Sequence, residues 1–396
     1  MRIALIADTF PPLRTSGAVQ LRDLSIEFVC QGHELTVILP SDELNQLWKI
    51  EIIDGIQVLH LRTLKLKDIS YIRRTIGEFL MPFMMRRNLR KSPLANERFD
   101  GVVWYAPSIF HGPLASMLKK MSGCKGYLIL RDIFPEWAVD MGIMGRGLPY
   151  RFFNAVAHYQ YSVANVIGVQ TLSNLGYFSD WCKKSERHVE VLKNWLADRP
   201  DVNCSIQLIK TPLAGRKIFV YAGNMGIAQG MDILLDLAER LIARQDIGFL
   251  FVGRGSDSKR LIKEAQLRKL NNVLFFDEIH PDEISGLYAQ CSVGLVALDP
   301  RHKSHNIPGK FLTYLQSGLP ILANVNSGND IATIIRSEKV GQVCESNEIE
   351  DLWVMANTLL NQIDIDTELS VRCRQFFDKE FSTKKAVKQI IAALSA

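Results

Sequence analysis

The densest set of residues suited to chemistry is Asn306-Ile307-Pro308-Gly309-Lys310-Phe-Leu-Thr313-Tyr-Leu-Gln-Ser-Gly318-Leu-Pro320. Pro308 and Gly309 open a predicted helix with Lys310 in its first turn. The unpaired N–H groups and positive dipole end of such a start suit a phosphate or sugar hydroxyls. Gly318 stops the helix and Pro320 forbids its continuation. His305 and Asn306 lie just before it and could hydrogen-bond a polyol; next to Arg301-His302-Lys303 they could equally be exposed loop residues.

Gly223-Asn224-Met-Gly226 follows an apolar run and precedes a helical pattern, where missing Cβ atoms let the backbone approach a phosphate. It reads equally as a tight turn without a ligand. Gly253-Arg254-Gly255 follows the next apolar run, so Arg254 either neutralises an anion or is simply solvated. Neither a GxGxxG fingerprint nor a Walker A sequence is present, so dinucleotide binding and P-loop hydrolysis are not supported. In the first half, Asp8-Thr9-Phe-Pro-Pro with Ser16-Gly17, and Arg131-Asp132-Ile-Phe-Pro135-Glu136-Trp137, each leave an apolar run. Asp132 and Glu136 are candidates for binding or polarising a hydroxyl. Glu136 also suits the first turn of a helix after Pro135. Asn194, in Lys193-Asn194-Trp195, could read a nucleotide or cap a turn.

The elements that must position these residues alternate strand and helix. Arg2-Ile-Ala-Leu-Ile-Ala reads as a central parallel strand, a helix follows from about Val19 to Cys30, and Glu34–Leu39 is the next strand. Repetition of this unit predicts an α/β chain of two Rossmann-like, doubly wound domains. Their expected limits are 1–195 and 216–375, joined by a linker over 196–215. A terminal helix within 376–396, Phe376 to Leu394, is expected to rejoin the first domain. Ligands of such sheets sit at the carboxyl ends of the strands, so a central cleft is the expected site.

Of 396 residues, 47% are hydrophobic and 22% charged, as in an ordinary globular chain. The seven cysteines are scattered without CxxC spacing, which argues against a disulfide framework or a zinc site and for a reducing compartment. An acidic residue at Asp8 comes too early for a signal peptide, and no apolar run has spanning length, so a cytoplasmic location is expected. The net charge of +5 mildly favours anionic partners. Cations concentrate between Arg62 and Lys91, among them Arg73, Arg74, Arg86 and Arg87, interleaved with Ile76, Phe79, Leu80 and Phe83. That segment suits an anionic lipid surface, and equally a core-packing helix pair with solvated charges.

Together, Asp8-Thr-Phe-Pro-Pro…Gly17, Asn194, Tyr221-Ala-Gly-Asn-Met-Gly, Val252-Gly-Arg-Gly and Pro308-Gly-Lys-Phe-Leu-Thr-Tyr-Leu-Gln-Ser-Gly-Leu-Pro resemble retaining GT-B glycosyltransferases of family 4, in the right order over nearly the whole chain. Arg131-Asp-Ile-Phe-Pro-Glu is similar to the branch that builds bacterial O-antigen and capsule repeat units, and most similar to its N-acetyl-L-fucosamine transferases. The resemblance implies a UDP-sugar donor on the C-terminal domain and a polyprenyl-diphosphate-linked saccharide acceptor on the N-terminal domain. It implies no metal or other cofactor, no nucleic acid partner, and attachment to the inner face of the cytoplasmic membrane. On this reading the catalytic candidates are Lys310, for the leaving diphosphate, and Asp132 or Glu136, for the acceptor. Donor binding falls to Gly17, Asn194, Gly223, Asn224, Gly226, Arg254, His305, Asn306, Ile307, Pro308, Gly309, Lys310 and Thr313. Many members carry two glutamates at the spacing of His305 and Thr313, and an arginine and lysine where this chain has Asn224 and Gln229. More of the diphosphate charge therefore falls on Lys310 and Arg254. A nucleotide-sugar epimerase and a non-catalytic subunit of a polysaccharide assembly complex are the alternative readings.

Overall fold

The computed structural model describes residues 1–13, 15–65, 70–183, 187–197, 203–299 and 307–396. The chain forms two units, residues 1–197 with 383–396, and residues 198–382.

The first unit contains β1 (Arg2–Ile6), α1 (Ser16–Cys30), β2 (Glu34–Ser41), β3 (Trp48–Ile53), β4 (Ile56–Arg62), α2 (Tyr71–Leu89), β5 (Gly101–Tyr105), α3 (Gly112–Ser122), β6 (Lys125–Leu130), α4 (Glu136–Asp140), α5 (Leu148–Val163), β7 (Val166–Val169) and β8 (His188–Val191). The sheet order is β3-β4-β2-β1-β5-β6-β7-β8. Every pair is parallel except β3 with β4. The apolar run of β1 follows from burial on both faces. Ile3 and Leu5 pack into one core with Leu21, Leu24 and Phe28 of α1. Ala4 and Ile6 pack into another with Met81 and Met85 of α2 and Leu114 of α3. Successive strand residues point to opposite faces, so a strand covered on both sides must be apolar throughout. The edge strand β3 was not anticipated. Its signal is Asp54-Gly55, both at positive φ (52° and 79°), the pair a tight hairpin turn requires.

The second unit contains β9 (Lys217–Ala222), α6 (Asp232–Arg240), β10 (Ile247–Val252), α7 (Ser258–Leu267), β11 (Val273–Phe276), α8 (Ile284–Tyr288), β12 (Val293–Ala297), α9 (Gly309–Gln316), β13 (Ile321–Asn324), α10 (Asp330–Glu338), β14 (Gly341–Cys344), α11 (Ile349–Ile365) and α12 (Leu369–Glu380). The all-parallel order is β11-β10-β9-β12-β13-β14. The chain moves outward from β9 in one direction, then returns to β12 and moves in the other. The gap between β9 and β12 is the topological switch point, where the loops on either side diverge and leave a crevice.

Two expectations are corrected. Residues 203–215 are not a free linker, because Ile206, Leu208 and Leu213 are buried in the second unit and the Leu208 N–H donates to Gln290 Oε1 (2.9 Å). The terminal helix is two helices, α12 and α13 (Thr383–Ser395). They break at Phe381, fully buried with its ring against Phe376 and Phe311 (centroids 5.4 and 6.3 Å). Only α13 belongs to the first unit, where Leu394 lies over Gly101 so closely that a Cβ there would come within 2.6 Å of it.

Candidate functional site

In the second unit the switch-point loops bring the predicted residues together. Gly223 directly follows β9 at φ 140°, a conformation open to glycine. Its missing Cβ would lie 3.5 Å from Cε of Lys310. Gly253 lies against it: a Cβ there would sit 2.1 Å from the Gly223 carbonyl oxygen, and one on Gly255 would sit 2.2 Å from that of Met225. The two glycine turns after β9 and β10 are therefore packed backbone to backbone. Gly253 and Gly255 have no room for a side chain.

Lys310 enters from the first turn of α9. Its Nζ donates to the Tyr221 hydroxyl (2.6 Å) and lies 3.9 Å from the centroid of that ring. The Tyr221 hydroxyl in turn donates to the Asn224 carbonyl (2.7 Å), which ties the lysine to the glycine loop. Gln229 Oε1 is 3.5 Å from the same Nζ. Among the described residues no carboxylate pairs with Lys310. The residue keeps some solvent contact, but the packing around its ammonium is dense, and this desolvation lowers its pKa to about 7. An anion placed here would favour the charged form. Tyr221 and Gln229 were not anticipated as partners of Lys310. The signal for Tyr221 was its place one residue before the end of a strand that runs into the glycine loop.

The other donor candidates are less close. Arg254 is exposed and paired with Glu278 (3.0 Å). Asn224 presents its carbonyl to Tyr221, and its Nδ2 is where a Cβ on Gly226 would intrude (2.9 Å). Thr313 turns its hydroxyl onto its own helix, donating to the Lys310 carbonyl (3.0 Å), and borders a cavity of about 1400 Å³. That cavity also reaches Ser292 and Pro320, which precede β12 and β13, so it opens at the opposite edge of the sheet from Lys310. Pro308 and Gly309 form the start of α9 and Ile307 is buried before it, whereas His305 and Asn306 lie outside the described residues.

At the carboxyl ends of the first sheet the polar residues converge differently. Gly17 lies in the first turn of α1, with Thr9 Cγ2 3.2 Å and the Tyr105 hydroxyl 3.4 Å from where its Cβ would be. Tyr105 donates to Gln20 Oε1 (3.3 Å), and Gln20 in turn accepts through its carbonyl from the Trp195 indole (2.8 Å). The Arg131 guanidinium lies 5.8 Å from the Trp195 ring, and the Arg131 carbonyl accepts from Gln170 (2.9 Å). Burial raises the Tyr105 pKa; Arg131 opposes this while Asp132 and Asp8 add to it, so all four groups share one locality. Asn194 is buried three residues beyond β8. Glu136 opens α4 and accepts from the Tyr150 hydroxyl (2.9 Å).

His111 was missed by sequence reasoning. It is fully buried six residues beyond β5, and neither ring nitrogen has a partner among the described residues. Gln20 Nε2, Arg131 Nη1 and Gln170 Oε1 are buried without partners among the described residues as well. Burial lowers the His111 pKa against the opposing field of Asp8, so the ring is neutral near pH 7. Unsatisfied buried polar atoms are costly and native chains keep few of them. Four residues, Gln20 in α1 and three just beyond β5, β6 and β7, mark a place built for polar contacts. The visible signal was a histidine in a loop soon after a predicted strand.

Arg73 and Arg74 are exposed on α2, and Arg74 is bound to Glu78 (2.8 Å). Arg86 and Arg87 lie in its last turn. Among the described residues no helix is long and apolar enough to cross a membrane, and no cluster of three or more metal-ligating side chains occurs.

Two doubly wound, mostly parallel α/β units in one chain, with a glycine turn and a helix start at the second switch point, define the GT-B fold class. Residues 216–362, within the second unit, match the family described as glycosyl transferases group 1. The chain is 24% identical over 383 residues to a protein of Escherichia coli (strain K12) described as a candidate colanic acid biosynthesis glycosyl transferase, WcaI, covering 87% of this chain and 86% of that one. It is 27% identical over 247 residues to a glycosyltransferase candidate of Pseudomonas aeruginosa, WbjE, covering 59% of each. Among solved structures it resembles WaaG, a glycosyltransferase involved in lipopolysaccharide biosynthesis (TM-score 0.67, 16% identity, all of both chains). It also resembles Anabaena HepE in complex with UDP and glucose (TM-score 0.72, 15% identity, 100% of this chain and 99% of that one).

Proposed function

We propose that this protein is a glycosyltransferase of bacterial surface-polysaccharide biosynthesis. In this reading a UDP-sugar, with N-acetyl-L-fucosamine as the favoured sugar, is bound by the second unit. Its sugar is moved with retained configuration to a polyprenyl-diphosphate-linked saccharide bound by the first. The observation that carries it is Lys310: a half-buried amine with no carboxylate partner among the described residues, held by Tyr221 beside a glycine turn at a sheet's switch point. The bond between the sugar and UDP breaks, a bond to an acceptor hydroxyl oxygen forms, and the hydroxyl proton passes to the departing diphosphate oxygen. Charge then develops on the departing diphosphate, where Lys310 and the N–H groups of α9 meet it without a metal ion. Gly223 and Gly226 let the diphosphate approach, and His305 and Asn306 hold the sugar. Asp132 or Glu136 orients the acceptor, and His111 adds a neutral hydrogen-bonding group at the first sheet. The work is done at the inner face of the cytoplasmic membrane, to which the protein is peripherally bound.

The names of WcaI, WbjE and WaaG support this reading, as does the UDP and glucose held by HepE. A thermal-shift screen across UDP-, GDP- and ADP-sugars identifies the donor, with UDP-sugars expected to raise the midpoint most. Acceptor-dependent release of UDP in the presence of EDTA is the decisive assay. Interconversion of the free nucleotide sugar without acceptor would replace transfer by epimerisation, and inertness with every donor would leave a binding role.

A further inference from the structure

Strands β9 and β12 part early at the switch point. Among the described residues they pair only at Phe219 with Val293 and Val220 with Gly294. On their other sides β9 stays paired with β10 as far as Ala222, and β12 with β13 as far as Ala297. One more step of the register would set Leu295 beside Tyr221, with the Leu295 carbonyl accepting from the Ala222 N–H. The Tyr314 hydroxyl stands between those two groups. It accepts from the Ala222 N–H (3.3 Å) and lies 3.2 Å from the Leu295 carbonyl and 3.1 Å from that of Val220, either of which can take its one proton. A side chain thus replaces a rung of the sheet, and these buried backbone groups stay satisfied although the strands have separated.

Tyr314 reaches the gap from α9. It is fully buried, its ring packs on that of Tyr288 (4.9 Å), and a Cβ on Gly294 would come within 2.4 Å of it. Gly294 thus makes the room that the ring occupies. Tyr314 follows Lys310 by four residues, so both lie on one face of the helix. That face is fastened to β9 at two points, Lys310 to the Tyr221 hydroxyl (2.6 Å) and Tyr314 to Ala222 (3.3 Å). Gly223 is the next residue of the chain. Two tyrosines, one on the strand and one on the helix, therefore set the height of the α9 start over the glycine turn.

We propose that Tyr314 is a positioning residue of the donor site, a wedge that holds β9 and β12 apart and fixes the Lys310 end of α9 over Gly223. Fully buried, it acts through Lys310 and the N–H groups of the first turn. Preorganised groups lose much of their effect when they are displaced by about 1 Å. A hydroxyl bonded to two strands resists such a shift by direction as well as by contact, whereas apolar packing has no direction. This role rests on the reading of a donor diphosphate at Lys310.

The test is Tyr314→Phe, which keeps the ring and removes the hydroxyl. Hydrogen exchange is expected to speed up at Ala222 and across residues 307–312, a readout that needs no donor. Titration with UDP is expected to show affinity about tenfold weaker, and kcat well below the melting midpoint falls by about 10–10². In a Lys310→Met background the same substitution is expected to change UDP affinity by less than about threefold, because the group it positions is gone. Gly294→Ala keeps the hydroxyl but crowds the ring out of place. It is expected to act in the same direction, and it supplies the same readouts should Tyr314→Phe fail to fold. Leu352→Ala, in the core under α11, is the control: it lowers the midpoint and leaves UDP affinity and kcat unchanged. Full affinity and kcat in Tyr314→Phe, unchanged exchange across 307–312, or an equal loss in Leu352→Ala would make Tyr314 a residue of the fold alone. Equal loss with and without Lys310 overturns action through that lysine. Failure of the unsubstituted protein to bind any nucleoside diphosphate would sink the donor reading, and exchange across 307–312 would still decide the wedge.

Discussion

At the carboxyl end of the second sheet the backbone makes the room and a single lysine brings the charge. At the carboxyl end of the first, side chains converge and several of their polar atoms remain without partners. In the second unit Gly223, Gly253 and Gly255 press turn against turn, and Tyr221 closes a chain of hydrogen bonds from Lys310 to the loop. In the first, His111, Gln20, Arg131 and Gln170 keep buried atoms without partners among the described residues, whereas at the strand ends of the second Asn324 Oδ1 is left so. On the proposed function the difference fits two kinds of ligand. A diphosphate offers the same oxygens whatever sugar it carries, so backbone N–H groups and one cation suffice. A saccharide acceptor differs from others by the position of single hydroxyls, which only directional side-chain groups distinguish.

The largest break in this comparison is Lys310→Ala. If the second unit relies on one cation, kcat for UDP release falls by about 10²–10³, the range for losing one preorganised group that stabilises developing charge. Retention of most of kcat would remove Lys310 from charge stabilisation. Next comes His111→Phe, which keeps the volume and deletes both unpartnered nitrogens. Removing a buried unsatisfied group favours the fold, so the melting midpoint is expected to hold or rise while kcat/KM falls roughly tenfold. Full activity with a higher midpoint would make His111 a structural residue and the first site ordinary.

A smaller effect sharpens the second site through protons. Burial lowers Lys310 from 10.5 to about 7 in the free protein, so above that pH the amine is increasingly neutral. In the unfolded chain the group stays protonated until near its ordinary value. Its destabilising effect is therefore full below about pH 7 and relieved as pH rises between the two values. A bound diphosphate favours the ammonium, so donor binding at about pH 8 takes up a proton and weakens as pH rises further. Calorimetry in two buffers of different ionisation enthalpy measures this uptake, which Lys310→Met abolishes. The smallest effect expected is that of Arg254→Ala. An exposed arginine already paired with Glu278 adds little, and KM changes by less than about threefold. A larger rise would show that Arg254 leaves Glu278 for the donor.

Much of this was legible from local chemistry. The strand of Arg2–Ile6, the glycine turn at 223–226 and the helix opened by Pro308-Gly309-Lys310 follow from residue types within a few positions of one another. The edge strand β3 was hidden because its partial alternation is weak beside the continuous apolar runs of the central strands. The break at Phe381 was hidden because no glycine or proline interrupts Phe376–Leu394; the ring leaves the helical path to pack against Phe311, seventy residues away along the chain.

The sequence by itself therefore determined two parallel α/β units, the places where their strands end in turns, and the cation at the start of α9. These depend on periodicity, glycine and proline, which act over one or two turns of chain. Only the tertiary structure decided that Tyr221 holds Lys310, that Arg254 is taken by Glu278, and that His111 is buried without partners among the described residues. Each of these turns on which side chains from distant segments arrive at the same place, and on how much water they exclude there.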